Sequence, residues 1–296
     1  MVVVIAGPTA SGKSALAVAV AQALGGTIIN ADASQLYADL SIISARPSRA
    51  EEAVVPHRLY GVLDGDAVAS AARWAGMARA EIAAAREAGR VPILVGGTGL
   101  YLRTLIDGIA PVPDIDPGVR EAVRAMAAAE VHAALQREDA AAAARLQPAD
   151  QQRTRRALEV VRSTDVALSV WQQQREGGLE MPVRALVLRG NRAALYARCD
   201  ARFVAMVAAG AVDEVRALLA RQLPDDRPML KAVGVPPLAA YLGGQLTLDA
   251  AVAQAQQDTR NYAKRQTTWF ANQHKDWPVI DPDLPGLVDR ALELLN

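Results

Sequence analysis

With 296 residues, 51% of them hydrophobic and 22% charged, the chain can bury one large core or two modest ones and is globular, not disordered. Its 32 basic residues balance 32 acidic ones, which excludes a global field drawing it to nucleic acid and leaves such contact to local clusters. One cysteine, Cys199, excludes an internal disulfide and a Cys-rich zinc site, no apolar run reaches the ~20 residues of a membrane span, and the apolar start enters a glycine-rich loop instead of a cleavage site, so a cytoplasmic protein is expected.

Val2-Val3-Val4-Ile5-Ala6 reads as a buried strand of mostly β-branched residues. It runs into Gly7-Pro8-Thr9-Ala10-Ser11-Gly12-Lys13-Ser14, then an apolar-periodic helix over 14–24 that stops at Gly25-Gly26. A strand over 27–30 leads to a loop at Ala31-Asp32; a helix over 70–88 and a strand over 91–95 follow, the strand ending in Gly96-Gly97-Thr98-Gly99. Such alternation predicts a parallel sheet with ligands beyond the carboxyl ends of its strands. Around Pro111, Pro113 and Pro117 the texture becomes proline-punctuated loop, then Ala-rich and helical to about Arg162. After Gly177-Gly178 and Pro182 a strand over 183–188 returns to the sheet, and helices over 192–219 and 248–272 flank a stretch broken by Pro224, Pro228, Pro236 and Pro237. The predicted fold is α/β: a P-loop NTPase-like parallel sheet flanked by helices over 1–112, an inserted all-α domain over 113–182, and a return to the core with C-terminal helices over 183–296.

The octapeptide after the first strand grips a polyphosphate. Its glycines let backbone N–H groups curl inward, the helix starting near Lys13 contributes its positive end, Lys13 adds a full charge, and the Ser14 hydroxyl can reach a Mg²⁺. Kinases, ATPases, GTPases and transferases all share such a loop, so the neighbouring strand ends must discriminate. Val91-Pro92-Ile93-Leu94-Val95 ends without a carboxylate, which lowers the hydrolysing-ATPase reading. Thr98 would instead orient a neutral nucleophile or hold a phosphate oxygen, the plain alternative being an N-cap for a helix over 100–106. Asp32, expected one strand from the phosphate loop, is the natural general base; Mg²⁺ ligation and simple turn formation are its alternatives.

Several stretches in order then carry a resemblance. To the phosphate loop are added the acidic turn Asp32-Ala33-Ser34-Gln35-Leu36-Tyr37, Pro56-His57-Arg58-Leu59, and Val95-Gly96-Gly97-Thr98-Gly99-Leu100-Tyr101. Farther on come Gln152-Arg153-Thr154-Arg155-Arg156-Ala157-Leu158-Glu159 and Thr259-Arg260-Asn261-Tyr262-Ala263-Lys264-Arg265-Gln266-Thr267-Thr268-Trp269. Over nearly its whole length the chain resembles the tRNA dimethylallyltransferases, or tRNA isopentenyltransferases, of the bacterial type; no Cys/His pattern for a zinc-finger extension is present.

The resemblance implies transfer of a dimethylallyl group from dimethylallyl diphosphate to N6 of the adenosine at tRNA position 37, just 3′ of the anticodon, in tRNAs reading codons that begin with U. It implies Asp32 and Thr98 as catalytic residues and Mg²⁺ as cofactor, held at Ser14. Gly7, Thr9, Ala10, Ser11, Gly12, Lys13 and Ser14 would bind the diphosphate with Arg198 and Arg202, which stand one helical turn apart. Contacts to the tRNA anticodon arm would come from Asp32, Ala33, Ser34, Gln35, Thr98, Arg120, Gln152, Arg153, Arg156, Arg260, Lys264 and Arg265, in a protein acting as a monomer. Three departures stand out: Ala33 directly after the acidic residue where Ser is frequent, Ile42-Ile43-Ser44-Ala45-Arg46-Pro47 where I-G-T-A-K-P is usual, and Val235 after Gly234 where a polar or aromatic residue is common. A small-molecule kinase on the same scaffold and a non-catalytic RNA-binding module are the alternatives.

Overall fold

The structure, a computed structural model, describes residues 1–295 and divides into two compact units, one formed by Met1–Thr104 with the chain from Glu180 onward, the other by Leu105–Leu179. Chain order begins with β1 (Val2–Ala6), α1 (Lys13–Leu24), β2 (Gly26–Asn30), α2 (Arg49–Val54), β3 (His57–Arg58), α3 (Ala71–Glu87), β4 (Val91–Gly96) and α4 (Gly99–Asp107). The second unit supplies α5 (Pro117–Ala125), α6 (Ala128–Glu138), α7 (Ala140–Arg145), α8 (Gln151–Thr164) and α9 (Leu168–Trp171). The first unit resumes with β5 (Val183–Leu188), α10 (Arg192–Ala208), α11 (Ala211–Ala220), α12 (Val235–Leu242), α13 (Leu248–Gln273), β6 (Val279–Ile280) and α14 (Leu287–Leu295).

All six strands form one parallel sheet in the order β3-β2-β4-β1-β5-β6. β1 lies at its centre, pairing Ala6 with Gly96 on one side and with Val187 on the other, which explains why all five of its residues are buried and apolar. Val3 and Ile5 meet Leu16 and Val20 of α1, Ile93 and Val95 of β4, and Leu186 and Leu188 of β5 in one core. Each such side chain stabilises by roughly 1.5–3 kcal/mol when fully buried. The strand order corrects one expectation: β4 stands between β1 and β2, so Asp32 is two strands from the phosphate loop, about 10 Å at ordinary strand spacing.

The stretch over 192–219 is two helices, because Gly210, at φ +102°, turns the backbone left-handed between α10 and α11. The helical unit starts at Leu105 and ends at Leu179 instead of at the proline-marked 113 and 182. Its neck is closed by the antiparallel Ile109–Glu176 bridge and by Leu179 N–H donating to the Ile106 carbonyl, contacts that proline spacing does not reveal. Inside it, Val123, Val131, Leu135 and Leu158 form a separate core with small alanines between them. Arg155 of α8 donates to the carbonyls of Val123, Arg124 and Met126 at 2.8–3.0 Å, satisfying the open C-terminal end of α5. Arg155→Ala is expected to cost about 2–3 kcal/mol, visible as faster amide exchange in α5 and α8 with little change in β1 or β4.

Candidate active site

The loop after β1 is shaped by glycine at the point where α1 begins. Gly12 takes φ +86° as the N-cap of α1, and Ala10, at φ +60°, pays the strain of a left-handed non-glycine residue. Lys13 folds back so that Nζ donates to the Pro8 carbonyl at 3.3 Å. Ala10, Ser11, Gly12, Lys13 and Ser14 line one side of an open recess of about 360 Å³ whose other walls include Arg198 and Arg202. Ser11 Oγ is buried there without a hydrogen-bond partner, an unmet polar group of the kind that a phosphate oxygen satisfies.

Both arginines of α10 reach this loop. Arg202 donates to Thr9 Oγ1, and Arg198 Nε donates to the Ala10 carbonyl at 3.1 Å while its Nη1 pairs with Asp283 at 3.2 Å. Burial, with the cation of Arg202 also contributing, lowers the pKa of Lys13 to about 8, and the Asp32 carboxylate only partly offsets it. Arg202 is shifted downward for the same first reason, its desolvation. The loop thus holds concentrated positive charge that a bound polyanion relieves.

The ends of β2 and β4 are locked to one another. Asn30 is fully buried, accepts from Asp32 N–H at 2.7 Å and donates to the carbonyls of Asp32 and Leu59, both at 3.0 Å. Asp32 Oδ1 in turn accepts from Ser34 N–H at 3.1 Å and Ser34 Oγ at 2.7 Å, so the hydroxyl displaced from position 33 still engages the carboxylate from position 34. Thr98 does not spend its hydroxyl on α4: Oγ1 accepts from Ala33 N–H at 3.0 Å, and Tyr262 hydrogen-bonds the same side chain. Thr98 therefore stands behind the wall that Ala33 and Tyr262 present.

A cavity of about 270 Å³ opens between these parts. Thr9 and Arg202 form its phosphate-loop end, Asp32, Ala33 and Ser34 one wall, and Ile43, Phe203, Met206, Met229 and Val233 an apolar wall. Tyr101 and Tyr262 also face it, and burial and the negative Asp32 raise the pKa of both phenols, so each remains a neutral hydrogen-bonding group at ordinary pH.

Residues outside the loop that sequence reading left without a role complete the frame. Gln266 of α13, buried, accepts from Thr9 N–H at 2.8 Å and donates to the Gly97 carbonyl at 2.9 Å, joining the phosphate loop to the end of β4. Position 97 is glycine because a Cβ there would lie 2.1 Å from Gln266 Nε2. Gln266 stands within the motif beginning at Thr259, yet nothing in that pattern separates it from its cationic neighbours.

The other residues expected at tRNA are dispersed. Gln35 turns from the cavity and donates to the carbonyls of Ser44 and Ala45 at 3.0 and 2.9 Å. Arg260 is engaged by Asp200 at 2.5 Å, linking α13 to α10, whereas Lys264 and Arg265 line a shallow exposed groove and Arg265 stacks over Tyr262 at 5.6 Å. In the helical unit Arg120, Gln152, Arg153 and Arg156 are all exposed; Arg153 pairs with Asp150 at 2.9 Å, and Arg156 lies near Glu159 and within electrostatic reach of Arg120. Among the described residues no helix is long and apolar enough to cross a membrane, and no cluster of three or more His, Cys, Asp or Glu side chains is placed to hold a metal.

The IPP transferase family model matches residues 35–273. The chain belongs to the tRNA dimethylallyltransferase family. It is 61% identical over 278 residues to the tRNA dimethylallyltransferase of Sphingopyxis alaskensis, covering 93% of this chain and 91% of that one. Among solved structures it is similar to the full-length tRNA isopentenylpyrophosphate transferase of Bacillus halodurans, with a TM-score of 0.72 and 31% identity over 100% of this chain and 94% of that one. A eukaryotic dimethylallyltransferase captured acting on tRNA matches with a TM-score of 0.83 and 25% identity, over 95% of this chain and 73% of that one. Family membership agrees with the six-stranded parallel sheet and the P-loop that opens it.

The Gln266 bridge makes a direct prediction. Gln266→Ala strands the Thr9 N–H and the Gly97 carbonyl, so stability falls by about 2–4 kcal/mol; a urea titration of the full chain measures it, and an unchanged midpoint contradicts the assigned bridge.

Proposed function

We propose that the chain transfers a dimethylallyl group from dimethylallyl diphosphate to N6 of adenosine 37 in tRNAs reading codons that begin with U, as a monomer in the cytoplasm. The observation that carries the reading is one cavity with Arg202 and Thr9 at one end, Asp32 on a side wall and an apolar wall beside both. Met206 lies one helical turn beyond Arg202, which suits a short hydrocarbon attached to a diphosphate held by the loop.

The donor diphosphate sits against Gly7, Thr9, Ala10, Ser11, Gly12, Lys13 and Ser14, with Arg198 and Arg202 drawing on its oxygens. Adenine leaves its stack to enter the cavity, and its exocyclic amine approaches the allylic carbon. The N6–C bond forms as the C–O bond to diphosphate breaks, the bonding pair leaves with the diphosphate, and the proton of the amine passes to Asp32. Thr98, behind the cavity wall, keeps Ala33 in place beside Asp32 and turns its own hydroxyl proton toward Tyr262. Ser34 holds Asp32 in one orientation through the same carboxylate oxygen that it bonds from both N–H and hydroxyl.

A Mg²⁺ fits the donor set: Ser14, exposed on the first turn of α1, offers one hydroxyl beside the diphosphate recess, and the ion characteristically keeps waters and takes phosphate oxygens for the rest. When bound it supplies charge neutralisation to the departing diphosphate. Ala33, Ser34, Lys264 and Arg265 on the first unit and Arg120, Gln152, Arg153 and Arg156 on the helical unit are the contacts assigned to the anticodon arm, with Gln35 and Arg260 acting through the loop and helix that they hold.

Incubating the protein with an unmodified tRNA, labelled dimethylallyl diphosphate and Mg²⁺ is expected to place label on adenosine; no transfer would overturn the proposal. Asp32→Asn should lower kcat by about 10²- to 10⁴-fold while tRNA binding persists. The charged form of Lys13 is complete below its pKa of about 8 and is lost above it. Affinity of the free enzyme for inorganic diphosphate therefore falls as pH rises through 8, and binding takes up a proton in that range; calorimetry in buffers of different ionisation enthalpy measures both.

A further inference from the structure

We propose that Glu214 is a positioning residue that holds the 41–45 turn as a wall of the prenyl pocket, and so sets donor affinity and the preferred length of the prenyl chain. This rests on the reading of the cavity as the site of prenyl transfer. Glu214 stands in the first turn of α11, outside every stretch that carries the family resemblance. Its Oε1 accepts from Ser41 N–H at 2.7 Å, Ser41 Oγ at 2.9 Å and Ile42 N–H at 2.8 Å, and Oε2 accepts from Ile43 N–H at 2.8 Å. Three successive backbone donors and a hydroxyl thus converge on one carboxylate more than 170 residues away in sequence. A carboxylate is the group that such a nest of N–H donors binds, and bonds to a charged acceptor are the stronger kind.

The turn is held at its far end too. Gln35 donates to the carbonyls of Ser44 and Ala45, and Ser44 Oγ donates to the Leu40 carbonyl at 2.6 Å. Just before it, Asp39 is paired with Arg221, which also reaches Asp64 at 2.8 Å. Between these ties the turn delivers two side chains, Ile43 and Ser44, to the cavity. Ile43 is 93% buried against Gly234 and Phe203, and a Cβ at position 234 would stand 3.1 Å from Ile43 Cδ1 and 2.8 Å from Phe203. Val233, Phe203 and Met206 complete the same apolar wall, so a shift of the 41–43 backbone moves the surface that meets the hydrocarbon.

Glu214 touches neither the phosphate loop nor Asp32, so its loss separates donor positioning from diphosphate capture. The test compares wild type with Glu214→Ala and Glu214→Gln in the full chain, using dimethylallyl diphosphate and a ten-carbon prenyl diphosphate as donors. Glu214→Ala should raise the KM for dimethylallyl diphosphate about tenfold or more, narrow its preference over the longer donor, and leave the affinity for inorganic diphosphate within about twofold. Glu214→Gln should fall between, since its carbonyl oxygen can accept from Ser41 and Ile42 while its NH₂ meets the Ile43 N–H. Amide exchange at residues 41–43 gives a readout without catalysis, and it should quicken about tenfold or more in Glu214→Ala. Unchanged exchange, or unchanged donor KM and preference in an active enzyme, overturns the inference. A wild type that transfers nothing overturns the assigned reaction instead, and the exchange result then still decides whether Glu214 holds the turn.

Discussion

The carboxamide of Gln266 is the joint on which the site depends. Its oxygen takes the Thr9 N–H and its nitrogen bonds the Gly97 carbonyl, so the phosphate loop and the end of β4 are held at one separation by a side chain from α13. A buried amide that satisfies one backbone donor and one backbone acceptor costs several kilocalories per mole to misplace, of the order of 2–4 kcal/mol. From it the remaining parts follow in sequence. The turn after β4 carries Thr98, Thr98 holds Ala33, and Ala33 stands beside Asp32, whose backbone Asn30 fixes from the other side.

That chain of contacts places Asp32 on one wall of a cavity whose end at Arg202 adjoins the recess of the phosphate loop. The loop glycine at position 12, the strained Ala10, Lys13 and the two arginines of α10 line that cationic recess. Their charge is held in partly desolvated surroundings, where its attraction for a leaving polyanion exceeds what water would allow. Asp32 lies two strands away, near enough to support the lysine electrostatically and far enough that both can serve different atoms of a reacting pair. The apolar wall of Phe203, Met206 and Met229 carries no ionisable group and gives the cavity its hydrocarbon-lined shape.

The elements with strong local signals were legible in the chain itself. A β-branched strand meeting a glycine-rich loop and an apolar helix, then strands ending at Asn30 and Val95, the latter again entering a glycine-rich turn and a helix, points to a parallel α/β sheet because periodicity and turn chemistry are local properties. Strand order is not local, which is why β4 separates Asp32 from the loop despite its later place in the chain. Gln266 and Glu214 escape for the same reason, since each acts on backbone groups at least 169 residues distant and looks in sequence like an ordinary helix-surface residue. Thr98 shows the converse: its position before α4 resembles an N-cap, yet its hydroxyl is taken by Ala33 across the sheet. The arginines of α10 reach the loop together, an outcome that their one-turn spacing permits but does not dictate.

In the proposed reaction the loop opening this chain cradles the leaving diphosphate of a prenyl donor and does not serve a nucleotide. Thermal protection compares the two ligands directly, because a ligand at a hundred times its dissociation constant stabilises the folded state by about 2.7 kcal/mol. Dimethylallyl diphosphate with Mg²⁺ should raise the melting temperature clearly above that seen with ATP and Mg²⁺ at the same concentration. Protection by ATP with none from dimethylallyl diphosphate would contradict the account.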